Sequence, residues 1–241
     1  DGSRPLGATQ YFNRLASRVI ASMTVPTASG ALYEVDTRLR PSGKDGLLCA
    51  SVKSFSQYQR ENAWTWEHMA LTRARVLFGS NAARTAVDDI ITEVLTTSRE
   101  PAKLYADVTN MRKEMAAHKP PKGELDVKLL PGGLVDLEFI VHALQLEQHV
   151  ALHPQLGKAV DGLIAASHLP PDFAAAYALL GRLLVMVRLV APDCDTPSVA
   201  AQVLIAKSLG HDHWDGLMAS IRDYRGVVTD QWQALFGPRD F

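Results

Sequence analysis

The chain has 241 residues, a length typical of one large domain or two small ones. Hydrophobic residues make up 47% of it and charged residues 21%, which excludes disordered, coiled-coil and collagen-like classes. The 25 basic and 26 acidic side chains give a net charge of −1, without the basic excess of a typical DNA-binding protein. The two cysteines, Cys49 and Cys194, are too few for a disulfide framework or a four-ligand zinc site.

Helical periodicity dominates most of the chain. The first predicted helix covers residues 9–23, where Arg14 and Arg18 lie on a different face from the apolar side chains. A second helix begins at Ser51 or Ser54 and runs on to His68. Further helices are predicted at 82–97, 102–118, 134–149, 156–167, 172–190, 198–209 and 213–235, separated by segments with proline, glycine or aspartate.

Residues 31–40 change period, and from Glu34 onward the charged residues fall on every second position. This spacing predicts a strand, with a turn at 41–46 and a returning strand at 47–52. On a strand the four charged side chains, Glu34, Asp36, Arg38 and Arg40, would share one face. Carboxylates there could hold Mg²⁺ and arginines could clamp phosphates, the alternative being a solvent-facing strand with cross-paired charges.

Two other segments are candidate anion sites. The turn at 41–46 carries Lys44 and two glycines, and such a loop either cradles phosphate or is simply a hairpin turn. Residues 131–139 begin a helix after two glycines, which is a second possible anion site. Asp136 in the first turn already complements the helix dipole and argues against a phosphate pocket. We therefore expect Asp136 and Glu138 to pair with arginines, with Arg73 and Arg75 as candidates.

Three segments, in this order, resemble hallmarks of bacterial glutamine synthetase adenylyltransferase. They are residues 33–43 (YEVDTRLRPSG), residues 63–75 (AWTWEHMALTRAR), and residues 126–128 leading to 131–139 (PGGLVDLEF). The resemblance implies a bifunctional nitrogen-regulatory enzyme with two nucleotidyltransferase units of the DNA-polymerase-β-like superfamily. One unit transfers AMP from ATP to a tyrosine of glutamine synthetase, and the other removes the AMP by phosphorolysis. Residues 63–68 resemble the C-terminal, adenylylating unit.

The resemblance also implies a set of site residues. The superfamily uses three carboxylates, of which Asp36 matches the third, so Asp36 is the expected catalytic residue and metal ligand, with Mg²⁺ and ATP as cofactors. The other two belong to a Gly-Ser-x-Asp-x-Asp motif that has no match here and is expected upstream. One carboxylate cannot organise two Mg²⁺ ions, so a chain truncated in this way is expected to be close to inactive alone. Candidate nucleotide- or phosphate-binding residues are Arg38, Arg40, Lys44, Arg73 and Arg75, and supporting residues are Glu34, Asp136 and Glu138.

The expected fold is mainly α with a small α+β part. Residues 1–80 would be the C-terminal part of the nucleotidyltransferase domain, and residues 81–241 an all-helical domain. Expected partners are glutamine synthetase, the PII signal protein and ATP, in the cytoplasm and without nucleic acid or membrane. A competing interpretation is a helical interaction or regulatory module that binds glutamine synthetase or PII. The chain could also be the deadenylylating half, which the Trp-Thr-Trp segment disfavours, or a PII uridylyltransferase relative, which ranks last.

Overall fold

The structure is a computed structural model that describes residues 6–239. Its regular structure in that range consists of α-helices and one short 3₁₀ turn at Gly43–Asp45. The helices are α1 Ala8–Thr24, α2 Val52–Glu61, α3 Thr65–Leu71, α4 Asn81–Leu95, α5 Pro101–His118, α6 Leu134–Gln148, α7 Leu156–Ala165, α8 Asp172–Val190, α9 Val199–Ser208 and α10 Trp214–Phe236. The prediction of a mainly α fold is confirmed, and each predicted helical segment has a counterpart.

The hairpin predicted over residues 31–52 is wrong, because residues 6–239 contain only an isolated bridge between Thr27 and Gly30 and no β-strand. A strand is stable only when a neighbouring strand satisfies its backbone groups. In this segment, side chains close in the sequence bond the backbone groups that a neighbouring strand would otherwise bond. Asp36 accepts a hydrogen bond from the backbone N–H of Arg38 at 2.9 Å, and the guanidinium of Arg40 donates to three nearby carbonyls.

The single long helix predicted from Ser51 to His68 is divided into α2 and α3. Ser51 caps α2, since its side chain accepts a hydrogen bond from the backbone N–H of Ser54 at 3.0 Å. The carboxylate of Glu67 accepts one from the backbone N–H of Trp64 at 2.9 Å. A glutamate in the first turn that reaches back in this way starts a new helix, which explains the break.

The chain forms two compact units. The first comprises the residues up to Ala70 together with Val76–Val94, and the second comprises Leu71–Arg75 together with Leu95–Phe241. Within the first unit, α1 has no buried residue. This grouping does not test the domain division predicted between residues 80 and 81. That division stays a prediction.

Helix α6 is the central element of the second unit. Twelve of its 15 residues are buried, and it packs against α5, α7, α8 and α10. A helix that is buried over most of its surface needs neighbours all round, and these four helices supply them. Helix α8 is long and apolar enough to cross a membrane by length and composition. Six of its 19 residues are buried, and among them Leu180, Leu183 and Val187 are at most 1% exposed in the core of the unit.

Candidate functional site

In the first unit, Asp36 forms a bidentate ion pair with Arg38. Arg38 donates from Nε to Oδ1 at 2.9 Å and from Nη2 to Oδ2 at 2.5 Å. The side chains are 57% and 81% exposed, so water reaches both. The hydrogen bonds from the side chain and backbone of Arg38 lower the pKa of Asp36 to about 2. Asp36 is therefore an ionised, accessible carboxylate whose two oxygens already have an internal partner.

Arg40 organises the loop that follows. Its guanidinium donates to the carbonyl oxygens of Thr37 at 2.5 Å, Lys44 at 3.0 Å and Gly46 at 3.1 Å. These bonds use donors from all three nitrogens of the guanidinium, which offers five in total. The loop exposes the side chain of Lys44 to solvent. Of the two predicted phosphate contacts in this loop, Lys44 is the more available.

The shared face predicted for Glu34, Asp36, Arg38 and Arg40 is not formed. The prediction depended on strand alternation, and this segment is not a strand. Within residues 6–239, Asp36 pairs with Arg38, Arg40 bonds its own loop, and Glu34 is exposed without an ion pair or side-chain hydrogen bond. The structure thus brings together one of the four possible carboxylate–arginine pairs.

The described residues do not fit a two-metal centre. No group of three or more His, Cys, Asp or Glu side chains between residues 6 and 239 is arranged to hold a metal ion. Mg²⁺ is usually held by one or two carboxylates with water and substrate phosphates, and a pair of ions needs more. Asp36, engaged with Arg38, is at most one ligand of such a centre.

The polar residues of the segment 63–68 join α2 to α3. The Tyr58 hydroxyl donates to Glu67 at 3.0 Å, and burial raises the pKa of that phenol. The ring nitrogen Nε2 of His68 lies 2.9 Å from the carbonyl oxygen of Gln59. These contacts give Glu67 and His68 a packing role in the first unit.

In the second unit, Asp136 lies at the centre of a buried ionic cluster. It accepts hydrogen bonds at 2.6 Å from Nε of Arg112, from Nη2 of Arg239 and from the backbone N–H of Gly132. Asp136 therefore pairs with arginines as predicted, but not with Arg73 or Arg75. Sequence reasoning missed both partners because they lie 24 and 103 residues away and carry no local signal.

Gly132 and Gly133 serve close packing. A Cβ atom on Gly132 would lie 2.2 Å from the carbonyl oxygen of Arg225, and one on Gly133 would lie 2.5 Å from that of Val127. Gly132 also has a φ of +73°, which side chains rarely adopt. The nearby turn is held by Asp126, which accepts from the backbone N–H groups of Lys122 and Leu129. The backbone at Gly132 therefore packs closely against α10, and Gly133 and Asp126 hold the turn beside it.

Arg73 and Arg75 belong to the second unit, and both are exposed. Arg73 lies 3.6 Å from the carboxylate of Glu138, which confirms the expected arginine pairing of that residue. Arg73 and Glu138 line a cavity of about 660 Å³, together with Lys158, Asp161 and Tyr177 among others. Two cations there face two carboxylates, so the cavity carries no net excess of positive charge.

Two family models match the chain. Residues 1–90 match the model of glutamate-ammonia ligase adenylyltransferase, and residues 103–236 match that of GlnD PII-uridylyltransferase. The first match confirms the resemblance to the adenylyltransferase family that residues 33–43 and 63–75 predicted. The second match covers more than half of the chain, so that part belongs to the GlnD PII-uridylyltransferase domain family. The relationship ranked last by sequence reasoning therefore holds for the helical part.

Relatives in the adenylyltransferase family are much longer than this chain. It is 50% identical over 157 residues to the bifunctional glutamine synthetase adenylyltransferase/adenylyl-removing enzyme of Brucella suis biovar 1 (strain 1330), covering 64% of this chain and 16% of the relative. It is 49% identical over 146 residues to the enzyme of that name from Rhizobium meliloti (strain 1021), covering 61% and 15%. It is 39% identical over 198 residues to the enzyme of that name from Mesorhizobium japonicum, covering 78% of this chain and 20% of the relative. The chain spans about a sixth of the length of the first relatives.

Proposed function

We propose that this chain is part of an enzyme that transfers AMP from ATP to a tyrosine of glutamine synthetase and so regulates nitrogen assimilation. The observation that carries the proposal is Asp36. It lies in one of the three segments that resemble the family, is ionised, and is accessible beside a loop that Arg40 holds in place. The name of the relatives, bifunctional glutamine synthetase adenylyltransferase/adenylyl-removing enzyme, supports the reaction class.

Residues 1–80 are proposed to be the C-terminal part of a polymerase-β-like nucleotidyltransferase domain, and residues 81–241 the all-helical domain that follows it. Asp36 would supply one carboxylate of the Mg²⁺ centre in the nucleotidyltransferase domain. No catalytic step is assigned to the metal, because the described residues do not fit a two-metal site. Arg38 pairs with Asp36 and lowers its pKa, and Lys44 is the proposed phosphate contact of the loop.

The adenylylating half is the proposed identity, on the resemblance of residues 63–68 to that unit. The adenylyl-removing half is the alternative, since the relatives' name covers both activities. Within the first unit, the polar residues of 63–68 contact α2 and start α3. We therefore propose that this segment differs between the two halves because of packing and not because it takes part in the reaction.

A second candidate function concerns the helical unit. We propose that it is an interaction module for glutamine synthetase or the PII protein, in the cytoplasm. Its support is the match of residues 103–236 to the PII-uridylyltransferase model and a hydrophobic core of its own.

The test is an assay of AMP transfer by a full-length enzyme containing this sequence, with glutamine synthetase and labelled ATP. Asp36→Asn keeps the size of the side chain but loses its charge, so transfer is expected to be abolished with an unchanged circular dichroism spectrum. Asp45→Asn, an exposed change in the same loop, is expected to retain transfer. Near-normal transfer by Asp36→Asn would remove this residue from the site.

A parallel phosphorolysis assay separates the two halves. If Asp36→Asn abolishes removal of AMP and leaves transfer intact, the adenylyl-removing assignment replaces the adenylylating one. The 241-residue chain alone is expected to transfer no AMP, because it offers one of the three required carboxylates. Transfer by this chain alone would show that the count of carboxylates is wrong.

A further inference from the structure

A groove of about 740 Å³ lies in the first unit between the polar face of α1 and residues 47–48. Arg14, Ser17 and Arg18 line one side, and Leu47 and Leu48 line the other. The lining contains no acidic side chain. Its volume is within the range of about 300–1,000 Å³ typical of small-molecule sites.

The two arginines of this groove are not neutralised. Across residues 6–239 neither Arg14 nor Arg18 forms an ion pair or donates a side-chain hydrogen bond, whereas Arg38 and Arg60 are both paired with carboxylates. The two residues are four apart on one helix, which places their Cβ atoms about 5–6 Å from each other. Like charges at this spacing repel, so an anion bound between them would relieve an existing cost.

The opposite wall of the groove is held by backbone contacts. The side-chain amide of Asn13 accepts from the backbone N–H of Cys49 at 3.1 Å and donates to its carbonyl oxygen at 3.3 Å. The thiol of Cys49 also donates to the carbonyl oxygen of Phe12 at 3.4 Å. These bonds fasten Cys49, which follows Leu48, to α1, and Arg40 folds the loop before these residues. The position of this wall is therefore set by hydrogen bonds within the protein.

We propose that this groove binds a nucleoside triphosphate, with the phosphates on Arg14 and Arg18 and the base against Leu47 and Leu48. Paired guanidiniums suit phosphate oxygens, and Leu47, which is 59% exposed, offers apolar surface to a flat ring. The identification of the nucleotide as ATP rests on the proposed function. The phosphate contacts rest on the groove itself.

The test is calorimetric titration of the 241-residue chain with ATP, inorganic tripolyphosphate and adenosine at low ionic strength. ATP is expected to bind most tightly, and binding is expected to weaken with added salt. The double variant Arg14→Gln/Arg18→Gln is expected to weaken ATP binding at least tenfold. The control Arg60→Gln/Arg222→Gln removes the same charge from exposed sites elsewhere and is expected to change affinity less than twofold.

Two further variants divide the site into its parts. Arg14→Lys/Arg18→Lys restores the charge and is expected to recover part of the affinity lost in the glutamine variant. Leu47→Ser is expected to weaken ATP and leave tripolyphosphate unaffected. Wild-type ATP affinity in Arg14→Gln/Arg18→Gln would overturn the proposal. Equal affinity for ATP and tripolyphosphate would overturn the assignment of the base to Leu47 and Leu48.

Failure here is distinguishable from failure of the proposed function. In the full-length enzyme, Arg14→Gln/Arg18→Gln is expected to raise the KM for ATP. A wild-type KM, with AMP transfer intact, would reject the groove and leave the proposed function standing. If ATP binding depends on the two arginines but the full-length enzyme transfers no AMP, the groove stands and the proposed function is rejected.

Discussion

Nε of Arg112 lies 2.6 Å from Oδ1 of Asp136, and the two side chains are 3% and 0% exposed. Arg239 reaches the other carboxylate oxygen at 2.6 Å and lies over the ring of Trp232, 4.7 Å from its centre. A buried carboxylate is tolerated only when it is both paired and hydrogen-bonded, and Asp136 is both. The cluster thus connects α5, the start of α6 and the segment after α10.

Asp136→Asn is expected to lower the free energy of unfolding by about 3–5 kcal/mol, because it leaves buried arginine charge uncompensated. Urea denaturation followed by circular dichroism measures this. The matched control is Asp36→Asn, which breaks an exposed pair and is expected to leave stability close to wild type. Equal stability of the two variants would contradict the importance of burial in this cluster.

Gly132→Ala is expected to lower the free energy of unfolding by about 2 kcal/mol or more, through its positive φ and overpacking. The new methyl group would meet the carbonyl oxygen of Arg225 and the hydroxyl of Thr229, 2.2 and 2.6 Å away. Gly226→Ala, in the middle of α10 and with open space around it, is expected to raise stability by about 0.5–1 kcal/mol. A stable Gly132→Ala protein would show that the loop moves away from α10 at little cost.

His142 is expected to make stability depend on pH. Its side chain is buried, with Nδ1 2.9 Å from the hydroxyl of Thr72 and 3.0 Å from Oε1 of Gln145. Burial lowers its pKa to about 4. An unfolded histidine has a pKa of about 6.5, so between these values the unfolded chain binds more protons. Stability should be fully present above a pH of about 6.5 and fall as pH drops toward about 4, by up to about 1.4 kcal/mol per pH unit.

The measurement is urea denaturation at a series of pH values from about 4 to about 7, which spans the two pKa values. His142→Gln should flatten the curve in this window, and His118→Gln, a change at an exposed histidine, should leave it unaltered. The same slope in all three proteins would show that another group causes the acid sensitivity.

The second unit is expected to unfold cooperatively in the absence of Mg²⁺ and ATP, because its core consists of its own side chains. Trp232, which is 1% exposed, reports this transition in near-ultraviolet circular dichroism. Leu183→Ala should lower the free energy of unfolding by about 2–5 kcal/mol, and Leu189→Ala, at a position 75% exposed in the same helix, should not. A gradual, non-cooperative melt would contradict an independent core.

Helices could be predicted from the sequence, whereas the hairpin could not. Residues 172–190 were predicted to the residue because helical hydrogen bonds and the apolar stripe are local features. Residues 31–40 showed strand alternation, but a strand depends on a partner segment that the described chain does not provide. The charges of that segment therefore turned to local bonds, with Arg40 closing its own loop.

The helical content and the family resemblance could be predicted from local order, namely the spacing of apolar residues and short segments such as residues 33–43. The roles of the polar residues depend on the fold. Asp136 found its partners 24 and 103 residues away, and Asn13 found Cys49 36 residues away. Such pairs form only when packing brings distant segments within hydrogen-bond distance, and no local pattern in the chain specifies them.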